Sequence, residues 1–205
     1  HMAPVEKLVE QAKLFESYGA EVVYVTDSAG ALLPHEVTER ITALKNELSC
    51  EIGFHGHNNL SMAMANTVAA VQAGATYIDG SLRALGAGSG NTQTEVMVAV
   101  LEKMGYNTGI DLYSIIDVAN DVVAQYMPRP QEINGSSLIM GYSGVYSSFL
   151  LHTEKAAKRF GIDERDILIE LGRMQAVGGQ EDLIYEVAAK IAHNSSNTHT
   201  EAPIS

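Results

Sequence analysis

The sequence predicts an α/β region followed by a small helical region, and three observations support this. Up to about residue 128, short β-branched runs alternate with segments that have the 3.6-residue period of amphipathic helices. The loops after the strands are polar and glycine-rich, whereas those after the helices are short. Beyond Pro128-Arg129-Pro130 only helical periods remain. We therefore expect a parallel sheet whose functional edge lies at the carboxyl ends of its strands.

Each element of the α/β region has its own signature. Apolar β-branched runs predict strands, and the first of them has the composition of a strand buried on both faces. Apolar residues spaced by three or four predict the helices, several of which are followed by a closing glycine. The predicted strands are 22–25, 50–54 and 76–79, and the predicted helices are 4–18, 34–48, 60–73 and 92–104.

The division of the chain follows from where the strand pattern stops. A last helix is predicted over 111–127, which closes an α/β domain of residues 1–128. A helical domain of residues 129–193 follows, and the polar segment 194–205 is expected to be disordered. The predicted helices of the helical domain are 142–160, 163–174 and 181–192. Only three strands appear, so a (β/α)₈ barrel, which needs eight strands and roughly 250 residues, would lack its first half here.

Composition excludes several classes of function. The formal net charge of -12 argues against a nucleic-acid partner, because phosphate binding needs clustered Lys and Arg. Cys50 is the only cysteine, which rules out an internal disulfide and fits a reducing cytoplasm. The sequence has no apolar run near the roughly 18 residues of a membrane span.

The motif His55-Gly56-His57 is the clearest candidate for chemistry. It ends the second predicted strand, where residues two apart point to the same face, so both imidazoles can reach one point. Imidazole combined with oxygen ligands suits Mn²⁺, Zn²⁺, Fe²⁺ or Co²⁺. Two unrelated histidines are the alternative, but the position after a buried strand favours a metal site. A carboxylate should complete it, and none in these loops is an obvious choice.

Other strand-end residues allow two interpretations each. Asp27 and Ser28 could bind substrate or could satisfy amides of their own loop. The glycine-rich run 86–91 lets backbone approach a ligand closely, although its spacing does not fit a dinucleotide fingerprint. Asn91, at its end, could serve the site or could cap the next helix. Tyr142 and Tyr146, placed at a predicted helix start, could transfer protons or could pack in the core.

Several motifs resemble a known family. Val-Thr-Asp-Ser-Ala-Gly at 25–30, Gly-Phe-His-Gly-His-Asn-Asn-Leu at 53–60 and Gly-Ala-Gly-Ser-Gly-Asn at 86–91 resemble the metal-dependent lyases and Claisen-type synthases built on a TIM barrel. Residues 141–150 and 177–182 resemble the communication domain of the 4-hydroxy-2-oxovalerate aldolase family. The resemblance implies the carboxy-terminal part of a TIM (β/α)₈ barrel followed by a helical communication domain.

The resemblance also implies an activity and a set of site residues. The family cleaves 4-hydroxy-2-oxovalerate to pyruvate and acetaldehyde with a divalent metal, usually Mn²⁺, held by histidines that match His55 and His57. Tyr146 matches a tyrosine with a proton-transfer role, and Ser28, together with His55, lies near the substrate in the family. Asn91 matches a position near the metal that in some relatives is itself a ligand, and we expect Asn91 and Asp27 to lie around the metal without binding it directly.

Part of the family's machinery has no counterpart in these 205 residues. The third metal ligand is an aspartate of an Arg-Asp-Gly motif, beside an arginine that stabilises the enolate and near a histidine base. That motif does not occur here, so the resemblance implies that this chain alone is inactive.

The resemblance implies a partner and leaves two alternatives. In the family the helical domain docks an acylating, NAD-dependent acetaldehyde dehydrogenase that receives the aldehyde. The usual setting is the degradation of aromatic rings or sterols. One alternative is another enzyme of the superfamily, such as an acyl-CoA-using synthase or a 3-hydroxy-3-methylglutaryl-CoA lyase. The other is a docking module without catalysis.

Overall fold

The α/β part of the molecule alternates strands and helices as the sequence predicts. The computed structural model describes residues 2–198, with side chains up to residue 194. The elements are α1 (Val5–Ser17), β1 (Val22–Asp27), α2 (Pro34–Glu47), β2 (Glu51–Gly56), α3 (Ala63–Gln72), β3 (Tyr77–Asp79) and α4 (Thr94–Lys103). A short 3₁₀ turn, Leu82–Ala84, lies between β3 and α4.

The three strands form one parallel sheet in the order β1-β2-β3. The register places Tyr24, Gly53 and Tyr77 in one row across the sheet. Two residues further along, Thr26, His55 and Asp79 form the next row, at the carboxyl end of the strands. The predicted parallel α/β architecture is therefore confirmed, and its strand ends converge on one edge.

Helices cover one face of this sheet. Helix α2 presents Val37, Ile41 and Leu44 toward it, at the three- and four-residue spacing of a helix stripe, and all three are fully buried. Each such side chain contributes about 1.5–3 kcal/mol through removal from water. The buried members of this core are Ala12, Val23, Val25, Leu32, Val37, Ile41, Leu44, Leu48, Ile52, Phe54, Ala69, Ala70 and Ala75.

The other face of the sheet, which we call the open face, differs from the prediction. Strand 22–25 was expected to be buried on both faces, and that expectation is wrong. Val23 and Val25 are buried, but Tyr24 is 36% exposed and Thr26 is also exposed. The strand alternates because the helices lie on one side of the sheet only. The composition of β1 could not reveal this, since β-branched residues suit either environment.

A long helical segment leads out of the α/β part. Asp111 caps it by accepting a 2.8 Å hydrogen bond from the Ser114 amide. Helix α5 (Leu112–Asp117) continues through a π-helical turn, Val118–Val123, into α6 (Ala124–Tyr126). The predicted helix over 111–127 is therefore present, with a local change of winding in its middle.

The remaining elements are helical and surround a second core. They are α7 (Gly135–Ser143), a 3₁₀ turn (Ser147–Phe149), α8 (Leu150–Phe160), α9 (Glu164–Arg173) and α10 (Asp182–Thr198). The buried members of this core are Met140, Val145, Phe149, Leu150, Ala156, Ala157, Ile167, Leu168, Leu171, Ala176, Ile184, Val187 and Ala188. Within the described residues, none of the helices combines the length and apolar character that crossing a bilayer requires.

The prediction of one helix over 142–160 is wrong. Helix α7 ends at Ser143, and Gly144 follows in the left-handed region with φ +72°, which stops the helix. Helix α7 itself was not predicted. Asn134 begins it by accepting a 2.9 Å bond from the Ser137 amide, a capping arrangement that follows closely on the Pro-Arg-Pro break. Tyr142 therefore lies in a last turn and Tyr146 in a connection, rather than both at a helix start.

The predicted disordered tail over 194–205 also differs in part. Helix α10 continues to Thr198, because extending an existing helix by polar residues costs little compared with starting one. Residues 199–205 lie outside the described residues.

One buried amide joins the two cores. Asn59 is 0% exposed, and its Nδ2 donates to the Ala29 carbonyl at 2.9 Å and to Ser147 Oγ at 3.0 Å. Its Oδ1 accepts from the Ser89 amide at 2.9 Å. These three bonds, which we call the Asn59 junction, connect the loop after β1, the loop after β3 and the helical part.

Further contacts strengthen this connection. The Ser147 amide donates to the Ser28 carbonyl at 3.2 Å, and Ser89 Oγ donates to Ser137 Oγ at 2.7 Å. Gly141 of α7 approaches so closely that an added Cβ would lie 2.8 Å from Leu60 Cγ. The helical part is therefore held directly against the carboxyl edge of the sheet.

We predict that Asn59→Ala lowers the free energy of unfolding by about 2–4 kcal/mol, because it leaves a buried amide and a buried carbonyl without partners. Asn46→Ala is the control, since Asn46 is exposed on α2, and we expect about 0.5 kcal/mol or less. Urea denaturation followed by circular dichroism measures both. Equal midpoints for the two variants would contradict the role of the Asn59 junction.

Candidate metal and substrate site

His55 and His57 lie together at the carboxyl end of β2. Their ring centroids are 5.2 Å apart and the ring planes cross at 69°. His57 also forms an isolated antiparallel bridge with Asn91, so the loop after β3 lies directly beside the histidine pair. The structure thus brings together the two predicted metal ligands and Asn91.

His57 is in the state that a metal ligand needs. Burial lowers the pKa of its imidazole, and the neighbouring His55 lowers that pKa further, against smaller opposing effects of the Ala87 backbone and Asp27. The ring is therefore neutral at pH 7. Its buried Nδ1 has no hydrogen-bond partner within residues 2–198. A neutral imidazole with an unused buried nitrogen can accept a cation.

Asn91, the bridge partner of His57, also has an unused polar atom. Its Nδ2 donates to Ser81 Oγ at 3.2 Å and to the Leu85 carbonyl at 3.1 Å. Its Oδ1 is buried and has no partner among the described side chains and backbone. The alternative that Asn91 caps the next helix is wrong, because the residue at the start of α4 is Gln93.

The donor set fits a divalent cation but is incomplete. Two imidazoles, with an amide oxygen near one of them, match the ligands that Mn²⁺ and similar ions accept. Across residues 2–198, however, no group of three or more His, Cys, Asp and Glu side chains is arranged to hold a metal. This chain therefore offers two imidazoles as candidate protein ligands.

Asp27 has a structural role in its own loop. Its Oδ1 accepts from the Ala31 amide and its Oδ2 from the Leu32 amide, both at 3.0 Å, and the side chain is fully buried. Burial raises the pKa of this carboxyl, while the two amides oppose the rise. Of the two interpretations left open by the sequence, the structure shows the one in which Asp27 satisfies loop amides. Ser28 continues that loop and holds the helical part through its carbonyl.

Tyr142 and Tyr146 lie in different environments. Tyr142 is 76% exposed, in the last turn of α7 before Gly144. Tyr146 is half-buried against the second core, immediately before Ser147 of the Asn59 junction. The structure therefore keeps Tyr146 near the strand-end loops, while it also packs with apolar neighbours.

The glycines of the run 86–91 allow close approach between protein segments. An added Cβ at Gly88 would lie 2.5 Å from Asn59 Oδ1, and one at Gly90 would lie 1.9 Å from the Ala84 carbonyl oxygen. Gly90 also has φ +85°. These contacts determine where Asn91 lies relative to His57.

Sequence reasoning missed Asp79. Its Oδ2 lies 3.6 Å from His55 Nδ1, so a carboxylate does stand beside the histidine pair. The carboxylate was expected in the strand-end loops, whereas Asp79 belongs to β3. Strand register would have revealed it, because Asp79 is the direct partner of His55 across the sheet. Asn59 follows the histidine motif in sequence, and nothing in that motif indicates its role in joining the two cores.

We predict that Gly90→Ala lowers stability by about 1–3 kcal/mol, through both backbone strain and a clash with the Ala84 carbonyl. Gly105→Ala is matched to it, because Gly105 has φ +91° but nothing within 4 Å of an added Cβ. Thermal unfolding of the two variants isolates the clash. A loss at position 90 no larger than that at position 105 would argue against a tightly packed loop.

Known proteins resemble this chain in sequence. A protein named 4-hydroxy-2-oxovalerate aldolase from Geobacillus thermodenitrificans is 69% identical over 198 residues, which are 97% of this chain and 58% of the relative. A protein of the same name from Bacillus thuringiensis is 69% identical over 192 residues, 94% of this chain and 56% of the relative. The chain thus spans little more than half the length of these relatives.

Structural and family comparisons agree on the fold. The carboxyl transferase domain of Rhizobium etli pyruvate carboxylase superposes with a TM-score of 0.78 at 20% identity, covering 95% of this chain and 35% of that one. Residues 131–193 match the DmpG-like communication domain. Residues 1–122 match the HMGL-like family profile, and the chain therefore belongs to the HMGL-like family.

Proposed function

We propose that this chain forms the metal-binding and communication portion of a 4-hydroxy-2-oxovalerate aldolase, which cleaves its substrate to pyruvate and acetaldehyde. The observation that carries the proposal is the pairing of His55 and His57 at the strand end, with unused buried atoms on His57 and Asn91. Relatives of that name, 69% identical across nearly the whole chain, support the choice of reaction.

His55 and His57 would hold the divalent cation, with Mn²⁺ as the expected ion. Such a cation would act as a Lewis acid toward the 2-oxo group and the enolate formed on cleavage. His57 offers a neutral imidazole because it is buried. Asn91 lies beside it and can accept a hydrogen bond through Oδ1. Asp27 shapes the neighbouring loop and influences His57 through its charge.

Tyr146 is the group of this chain proposed to transfer a proton through its phenolic oxygen. Its backbone is held near the site because the next residue, Ser147, is bonded to Ser28 and Asn59. Ser28, at the end of β1, is proposed to hydrogen-bond substrate, and the His55 side chain to contact it as well. The residues proposed to position the substrate and to move a proton therefore lie on three different segments of the chain.

The remaining parts of the site are proposed to lie in the portion of the protein that these relatives have and this chain does not span. No Arg-Asp-Gly sequence occurs among the 205 residues, and the chain covers 56–58% of the relatives. The third metal ligand and the enolate-binding arginine would come from that portion. Metal bound by this chain alone would therefore be weakly held.

The helical part is proposed to dock an acylating acetaldehyde dehydrogenase. We propose a boundary near residue 128, with residues 1–128 in the catalytic domain and 129–193 in the communication domain. The match to the DmpG-like communication domain over 131–193 supports this, as does the separate core of these helices. Passing acetaldehyde directly to such a partner would keep a reactive product out of bulk water.

The aldolase proposal is tested by joining this chain to the preceding portion of the Geobacillus thermodenitrificans relative. We expect the joined protein, loaded with Mn²⁺, to release pyruvate from 4-hydroxy-2-oxovalerate, and a chelator to abolish the activity reversibly. His55→Ala and His57→Ala should each lower kcat/KM by roughly 10³-fold, because each removes a ligand of the Lewis acid. Tyr146→Phe should lower kcat by about 10²-fold or more.

Controls separate the alternatives. His152→Ala should leave activity unchanged, since His152 is exposed on α8. The unjoined chain should show no cleavage, and turnover by it at the rate of the joined protein would refute the proposed division of the site.

Condensation that depends on acetyl-CoA, without cleavage of the oxoacid, would instead indicate another reaction of the superfamily. Co-purification with the dehydrogenase reports docking independently of cleavage.

A further inference from the structure

The open face of the sheet carries a carboxylate opposite one of the two histidines. Asp79 and His55 are direct partners in the register between β2 and β3, and both side chains project on the open face. Asp79 Oδ2 lies 3.6 Å from His55 Nδ1, with the two side chains 51% and 23% exposed. The carboxylate therefore faces one particular nitrogen of the ring.

A tyrosine reaches the same carboxylate across the middle strand. The ring of Tyr24 on β1 lies over Gly53 of β2, where an added Cβ would come within 2.6 Å of the ring carbons. Only the absence of a side chain at Gly53 allows this crossing. Burial raises the pKa of the Tyr24 phenol, and the charge of Asp79 and a hydrogen bond to it raise that pKa further. Asp79 is therefore bracketed by Tyr24 on one side and His55 on the other.

The position of Asp79 bears on which nitrogen of the His55 ring would carry the proton of a neutral imidazole. A neutral imidazole carries its proton on one nitrogen and a lone pair on the other. A carboxylate beside Nδ1 stabilises the Nδ1–H form, which leaves the lone pair on Nε2. At His57 the arrangement differs, because Nδ1 has no hydrogen-bond partner among the described residues and the ring interacts instead with the Ala87 backbone. The two histidines of the motif thus differ in what lies beside their Nδ1 atoms.

We propose that Asp79 is a positioning residue that holds the proton of His55 on Nδ1 and so makes Nε2 the nitrogen that binds the cation. The Tyr24 ring, which crosses over Gly53, limits the space open to this carboxylate. This inference rests on the proposed function, because it concerns the same metal site. It adds a carboxylate whose effect is exerted through the ring and not through direct contact with the ion.

The tautomer of His55 tests the proposal without any metal. Long-range ¹H–¹⁵N correlation spectra of the 205-residue chain, recorded metal-free near pH 8, distinguish the two neutral forms. We expect the Nδ1–H form to predominate in the native chain and the Nε2–H form to predominate in Asp79→Ala. Glu51→Ala is the matched control, since Glu51 is an exposed carboxylate on the same face at the other end of β2, and it should change nothing. An unchanged ratio in Asp79→Ala would overturn the proposal.

Mn²⁺ binding, followed by electron paramagnetic resonance of the free ion, gives the second readout. Asp79→Ala should weaken binding by about 10-fold, and Asp79→Glu should restore part of the loss. Weaker binding in Asp79→Ala with an unchanged tautomer would show that Asp79 is itself a ligand, which contradicts the positioning role. His55→Ala tests the proposed metal site separately from the role of Asp79. If this variant binds Mn²⁺ as tightly as the native chain, the proposed metal site is wrong, whatever the tautomer result.

Discussion

The architecture depends on a side-chain amide that is fully buried and hydrogen-bonded through both its nitrogen and its oxygen. Asn59 uses Nδ2 for the Ala29 carbonyl and Ser147 Oγ, and Oδ1 for the Ser89 amide. Breaking any of these would strand a polar group away from water, at a cost of about 1–3 kcal/mol. Three segments that are distant in sequence must therefore keep one geometry. The loops that carry the candidate site and the helices that carry Tyr146 are held by this same residue.

The local chemistry of the site follows from this constraint and from sheet register. The strand places His55 and His57 on one side, and the packed glycine loop brings Asn91 against His57. Burial keeps His57 neutral, whereas His55 faces a carboxylate on the next strand. The two rings are thus chemically distinct, although nothing in the sequence motif distinguishes them. A cation site built in this way obtains its asymmetry from the sheet and not from the motif.

Much of the fold was predictable because it rests on local patterns. Alternating periods indicated the parallel units, and the spacing of His55 and His57 indicated one shared face. The errors have both tertiary and local causes. The exposure of Tyr24 depends on which faces the helices cover, and the break at Gly144 depends on a left-handed residue within a helical pattern. Asp79 was missed because its role depends on a neighbour 24 positions away across the sheet.

The claim that one amide holds loop and helices together is tested most directly by native-state hydrogen exchange. The Ser89 amide is bonded to Asn59 Oδ1, and the Ser147 amide is bonded to the Ser28 carbonyl beside Asn59 Nδ2. If the junction opens as one unit, both amides exchange with the same free energy of opening, within about 0.5 kcal/mol. Exchange of one amide roughly 100-fold faster than the other would show that loop and helices open separately, and would contradict the account.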